Sequence, residues 1–113
     1  MRYKTINLHI VMGEMQAGGK VNYFANGQGK ANFILATDSY RKSGDGGVER
    51  VVEYHRCQVD NRQFDDLDLL VKEGNIVMVQ GEVRSYVKDG VITKFTQAEK
   101  CSLMGREDAV IKK

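Results

Sequence analysis

This sequence predicts a small, mainly β domain: a five-stranded barrel with one helix between its third and fourth strands. Three observations support this. Val occurs 13 times against six for Leu, and β-branched side chains pack well on pleated strands. Gly is frequent as well, at 12 of 113 residues, which suggests many turns. Finally, most of the chain alternates apolar and polar residues with period two, and a single segment, residues 61–74, changes to a spacing of three and four.

Length and charge narrow the class. A chain of 113 residues suits one domain with one core. Leu, Ile, Val and Phe make up 29 of the 113, well above the roughly 20% below which disorder is expected. No apolar run approaches the ~18 residues of a membrane span, and Met1-Arg2-Tyr3-Lys4 is not followed by a signal-peptide core. The expectation is a cytoplasmic protein with no membrane partner. Cys57 and Cys101 stand apart, with no CxxC and no His at ligand spacing, so reduced buried thiols are preferred over a disulfide or a metal site. A net charge of +2 is too small to demand a nucleic-acid partner by itself.

The elements follow in order. Ile6, Leu8 and Ile10 alternate within residues 3–13, which reads as the first strand. Gly18-Gly19 breaks it. Residues 21–25 and 31–40 flank Asn26-Gly27, a hairpin signal because both residues tolerate positive φ. Residues 42–47 are a Gly-rich loop, and a third long strand spans 49–59. Phe64, Leu67, Leu70 and Val71 then mark one face of a helix over 61–74. Asp60 or Asn61 would cap its start, and Lys72 and Gly74 suit its end. Residues 75–87 and 91–104 are strands joined by the turn Lys88-Asp89-Gly90. The last nine residues carry mixed charge and are expected to fray. Three strands, a helix and two strands is the layout of an OB-fold Greek-key barrel, although other small β-barrels share it. The expected domain is 1–105, with 106–113 as a short C-terminal extension.

Charge by region suggests where function lies. Residues 1–59 balance to +3, residues 60–74 to −3 and residues 75–113 to +2. One side of the barrel could therefore attract phosphates while the acidic helix points elsewhere. On the third strand Val52, Tyr54, Arg56 and Gln58 share one face, and Val51, Glu53, His55, Cys57 and Val59 the other. Tyr beside Arg offers a ring for base stacking and a cation for the backbone. Arg84 and Tyr86 repeat the pair on the fourth strand, and Tyr40 with Arg41-Lys42 closes the second. One such pair is ordinary surface; three on adjacent strands suggest a nucleic-acid interface. Other candidates are weaker. Gly27-Gln28-Gly29-Lys30 precedes a strand and lacks the ending of a phosphate loop. Asp65, Asp66 and Asp68 lack the Gly and Glu of a calcium loop. His9 and His55 have no nucleophile partner. The expectation is a binding protein, not an enzyme, with no cofactor and no metal.

Several stretches resemble the bacterial-type single-stranded-DNA-binding protein. Asn26-Gly27 followed by Ala31-Asn32-Phe33-x-Leu35-Ala36-Thr37 resembles the family's turn and second strand. Glu53-Tyr54-His55-Arg56 resembles its acidic-aromatic-His-Arg motif. Gly74 and Val77-x-Val79-x-Gly81-Glu82-Val83-Arg84 resemble its helix end and fourth strand. The resemblance spans roughly residues 5–104. It implies sequence-independent binding of single-stranded DNA in replication, recombination or repair, commonly as a homotetramer, with a dimer as the fallback. It also implies stacking at Tyr40 and Tyr54, basic contacts at Arg56 and Arg84, and a subunit contact at His55. Arg41, Lys42 and Lys94 complete the expected phosphate contacts, and Tyr86 is the substitute for a hairpin aromatic that is absent at Lys88. Asp60 stands where the family usually has an aromatic. The family's Gly/Pro/Gln-rich linker and acidic tail ending in Phe are absent, so the resemblance does not carry over tail-mediated recruitment of repair enzymes. A host protein, a phage- or plasmid-encoded variant acting in the bacterial cytoplasm, and a trimmed core all fit. Two rival readings stay open: an OB-fold interaction protein of a replication-restart assembly, and an RNA-binding OB module.

Overall fold

In a computed structural model, residues 5–106 are described, and extended segments dominate them. The strands are β1 (His9–Met15), β2 (Lys20–Tyr23), β3 (Gly29–Lys42), β4 (Val48–Asp60), β5 (Asn75–Lys88) and β6 (Val91–Arg106), with α1 (Leu67–Leu70) between β4 and β5. They follow the order β1-β5-β6-β4-β3-β2, and a further β1–β3 pairing closes the ring. The closed unit is the five-stranded OB-fold barrel that the sequence predicts. Short β2 lies outside it, pairing only with the start of β3. The core gathers Val11 and Met15 of β1, Phe33 and Leu35 of β3, Cys57 and Val59 of β4, Leu67 and Leu70 of α1, and Val77 and Val79 of β5.

Two elements depart from the expectation. Strand β1 begins at His9 and not at residue 3; residues 3 and 4 lie outside the described region, and residues 5–8 are not strand. In their place the Asn7 amide clamps β5, donating to the Val83 carbonyl at 2.7 Å and accepting from its N–H at 2.9 Å. The alternation itself is real, but its apolar row faces outward: Ile6, Leu8, Ile10 and Met12 are all exposed. The core row is Val11, Gly13 and Met15. Gly13 is needed there because β1 crosses β3 closely, and a Cβ would stand 2.5 Å from the Ala36 carbonyl oxygen.

The helix is a single turn, Leu67–Leu70, capped by Asp66 through its 3.1 Å bond from the Leu69 N–H. Residues 61–66 are not helical because their side chains satisfy the backbone in other ways. The Asp60 carboxylate accepts from the Arg62 N–H, Gln63 bonds the Asp60 N–H, and the Asn61 amide bridges Gly29 and the Asp65 carbonyl. The apolar spacing still holds: Leu67 and Leu70 are buried, with Phe64 and Val71 packed beside them. Buried Asn75 caps the far end, donating to the Leu69 and Leu70 carbonyls at 2.9 and 3.1 Å.

The β5–β6 hairpin turns on Asp89 and Gly90, both with positive φ, the backbone of a two-residue turn. The expected extension over 106–113 lies outside the described residues apart from Arg106, which pairs with Asn75 at the end of β6. Both cysteines are free. Cys57 is buried and Cys101 only partly so, and burial pushes the Cys57 thiol up to about 12.

Candidate nucleic-acid interface

The candidate surface is built by register. Strands β3 and β4 pair without interruption from Lys30 opposite Asp60 to Lys42 opposite Val48, so no bulge exchanges their faces. Cys57 and Val59 point into the core, and Tyr54, Arg56 and Gln58 point outward with Asn32, Ile34 and Ala36 of β3 opposite them. Across β4, strand β6 runs parallel, placing Gln58 beside Gln97. On the far side of β6, β5 sets Arg84 opposite Phe95 and Tyr86 opposite Thr93. The result is a four-strand platform, β3-β4-β6-β5, whose outer surface carries Tyr54, Arg56, Phe95, Arg84 and Tyr86.

Two adjoining clefts open on it. One, about 200 Å³, is lined by Tyr54, His55 and Arg56 of β4, Lys94, Phe95 and Thr96 of β6, His9 of β1 and Val83 of β5. Its neighbour, about 480 Å³, is lined by Asn32, Arg56, Gln58, Arg84, Ser85, Tyr86 and Phe95. Arg56 and Phe95 border both. Tyr54 is 66% exposed, a ring offered to solvent instead of packed. Among the described residues, Arg56 and Lys94 form no salt bridge, so their charge is available to an anion. Arg84 is held by Glu82 at 2.6 Å, an exposed pair contributing at most about 1 kcal/mol and open to displacement by a phosphate. Tyr86 and Phe95 lean on one another, ring centroids 5.9 Å apart and planes inclined by 51°.

The structure brings the predicted residues together unevenly. Tyr54, Arg56 and Lys94 share the smaller cleft, and Arg56, Arg84 and Tyr86 the larger. Tyr40 lies on the same face as Tyr54, 70% exposed and opposite Arg50; four residues of strand put it about 13 Å farther along. Lys42 ends that row. Arg41 does not join it, because alternation turns it to the opposite face, where its Nε meets Glu49 at 2.6 Å. His55 is half-buried. Its Nε2 lies 2.9 Å from the Thr37 hydroxyl, and its ring centroid lies 5.4 Å from that of His9. Desolvation first, and then the neighbouring His9, hold the His55 imidazole below its ordinary pKa. The acidic turn stands apart from the clefts; there Asp68 accepts from the Tyr23 hydroxyl at 2.6 Å.

Phe95, Asn32 and Arg50 are not among the site residues the sequence points to, and Gln58 is placed there on the Tyr54 face without a role. Phe95 shares a face with Thr93 and Gln97 along β6, but only the parallel β4–β6 pairing places it beside Arg56. Arg50 sits opposite Tyr40 and grips Asp38 through two bonds of 3.0 and 2.9 Å.

Residues 6–99 match the Single-strand binding protein family. The chain belongs to that family. Two solved structures show how far the single-strand binding fold is shared. The structure described as Plasmodium falciparum SSB complex with ssDNA superposes with a TM-score of 0.73 at 20% identity, over 93% of this chain and 98% of that one. A deletion mutant of the single-stranded DNA binding protein from Thermus aquaticus gives 0.70 at 23% identity, over 88% of this chain and 50% of that one.

Proposed function

We propose that this single-strand binding protein family member binds single-stranded DNA without sequence preference, through the outer face of β3, β4, β6 and β5. The observation that carries this reading is Tyr54, an exposed ring beside Arg56, which forms no salt bridge among the described residues, with Lys94 across the same cleft. Rings take up bases of any identity, and cations track the phosphates. Tyr40 and Lys42 continue the path along β3, and Arg84, Tyr86 and Phe95 continue it across β5 and β6. Family membership and the single-stranded DNA named for the Plasmodium relative favour DNA as the ligand. The corresponding role is protection of exposed strands in replication, recombination or repair within the bacterial cytoplasm, by binding and not by catalysis.

Assembly belongs to the same proposal. Among the described residues, His9–Gly13 of β1 pair only with β5, which leaves the other edge of the strand without a partner there. Ile10 and Met12 of that strand, with Ile6 and Leu8 just before it, expose a row of apolar side chains. An open edge bearing an apolar row suits a self-complementary contact between subunits. His55, beside His9 near one end of that strand, is the residue this reading assigns to the subunit contact. The expected particle is a homotetramer, with a dimer as the smaller alternative. The test is equilibrium binding of a labelled oligodeoxythymidine, challenged with duplex DNA and with RNA of the same length. Displacement by single-stranded DNA alone supports the reading; equal displacement by RNA assigns the site to single strands in general, and no binding of any strand overturns it.

A further inference from the structure

The larger cleft holds two amides that neither stacking nor phosphate neutralisation uses. Asn32 and Gln58 stand directly opposite one another on β3 and β4, and Gln58 Nε2 donates to Asn32 Oδ1 at 3.0 Å. That bond leaves the protons of Asn32 Nδ2 and the lone pairs of Gln58 Oε1 to spare. The pair therefore presents a donor beside an acceptor. Turning both amides over exchanges the two roles and keeps the internal bond, so the arrangement adapts to its ligand. The other wall of the cleft is aromatic, formed by Tyr86 and Phe95 at 5.9 Å, with Arg56 and Arg84 beside them. About 480 Å³ lies between, within the range of small-molecule pockets.

Every nucleobase carries a donor next to an acceptor on its Watson–Crick edge. In a duplex that edge is already bonded to the opposite strand, and in a single strand it is free. Building on the function proposed above, we infer that this cleft is a base-edge pocket. It seats one unpaired base against the Tyr86–Phe95 wall and bonds its Watson–Crick edge to the Asn32–Gln58 amides. The protein thereby reads whether a base is unpaired and not which base it is. Adaptability of the amide pair is what makes the two compatible.

The test compares oligodeoxythymidine with an oligomer of its difluorotoluene isostere, which keeps the shape of thymine and lacks its hydrogen-bonding edge. The wild type should bind the isostere about three- to tenfold more weakly, as one or two neutral hydrogen bonds require. The double variant Asn32→Ala/Gln58→Ala should lose a similar factor for thymidine and none for the isostere. Both side chains lie on the outer surface, and a melting curve checks that the fold is kept; Asn32→Ala alone should show the same pattern more weakly. An isostere penalty equal in the wild type and the variants overturns the pocket while leaving the interface intact. Failure of the wild type to bind either oligomer overturns the interface and the pocket together.

Discussion

Replacing Tyr54 by Ala removes the ring on which the proposed interface rests. The side chain is 66% exposed and lies opposite Ala36 of β3, so its loss opens no buried cavity. Stability should change by no more than about 0.5 kcal/mol, the usual range for a surface substitution. Stacking of a base on an aromatic contributes about 1–3 kcal/mol. At about 1.4 kcal/mol per tenfold, affinity for a single-stranded oligonucleotide should therefore fall by about fivefold to a hundredfold or more. Tyr54→Phe, which keeps the ring and drops the hydroxyl, should bind within about twofold of the wild type. Fluorescence anisotropy with a labelled oligodeoxythymidine measures the affinities, and thermal melting confirms the fold. A Tyr54→Ala variant that melts like the wild type and binds as tightly would refute the stacking argument.

Four further outcomes follow from the geometry. Arg56→Ala should flatten the dependence of log affinity on log salt by about 0.7, one phosphate's worth for a single strand, whereas Arg41→Ala, on the opposite face, should leave the slope unchanged; equal effects of the two would contradict the assignment of faces. Gly81→Ala should destabilise the barrel by about 1–3 kcal/mol or more, because its Cβ would stand 1.9 Å from the Gln97 carbonyl oxygen; chemical denaturation checks this. The His55 imidazole is held below its ordinary value of 6.5 by desolvation and then by His9, so the unfolded chain takes up its proton first. The His55 contribution to stability is thus complete above about pH 6.5 and diminishes as pH falls below it; His55→Gln should remove that dependence between pH 5 and 7, and an unchanged profile would assign it elsewhere. His55→Lys should lower the sedimenting mass by setting a fixed charge in the proposed subunit contact, and an unaltered mass would remove His55 from the assembly.

Local signals in the sequence carried most of the barrel. The alternation in β4 holds residue by residue, since the unbroken register to β3 preserves it, and Asp89-Gly90 turns where the dipeptide suggests. What escaped depends on contacts distant in sequence. The apolar row Ile6, Leu8, Ile10 and Met12 is exposed because Val11, Gly13 and Met15 take the core side, with Gly13 passing close to the Ala36 carbonyl, which periodicity alone does not reveal. The helix shrank to one turn because Asp60, Asn61 and Gln63 bond the backbone themselves, although Leu67 and Leu70 still reach the core. In the site, Tyr54 and Arg56 were legible as neighbours on one face. Phe95 and the Asn32–Gln58 pair were not, because cross-strand pairing assembles them, β4 with β6 for the first and β3 with β4 for the second.

The most direct test of the interface is photo-cross-linking to an iododeoxyuridine-substituted single strand, with the adducts located by mass spectrometry. The chain offers a built-in control, since Tyr23 and Phe24, at the β2–β3 hairpin, are exposed to a similar degree as Tyr54. Adducts are expected at Tyr54, with Tyr40, Tyr86 or Phe95 as the further sites, and none at Tyr23 or Phe24. Adducts confined to Tyr23 and Phe24, with Tyr54 unmodified, would place the strand on another surface and contradict it.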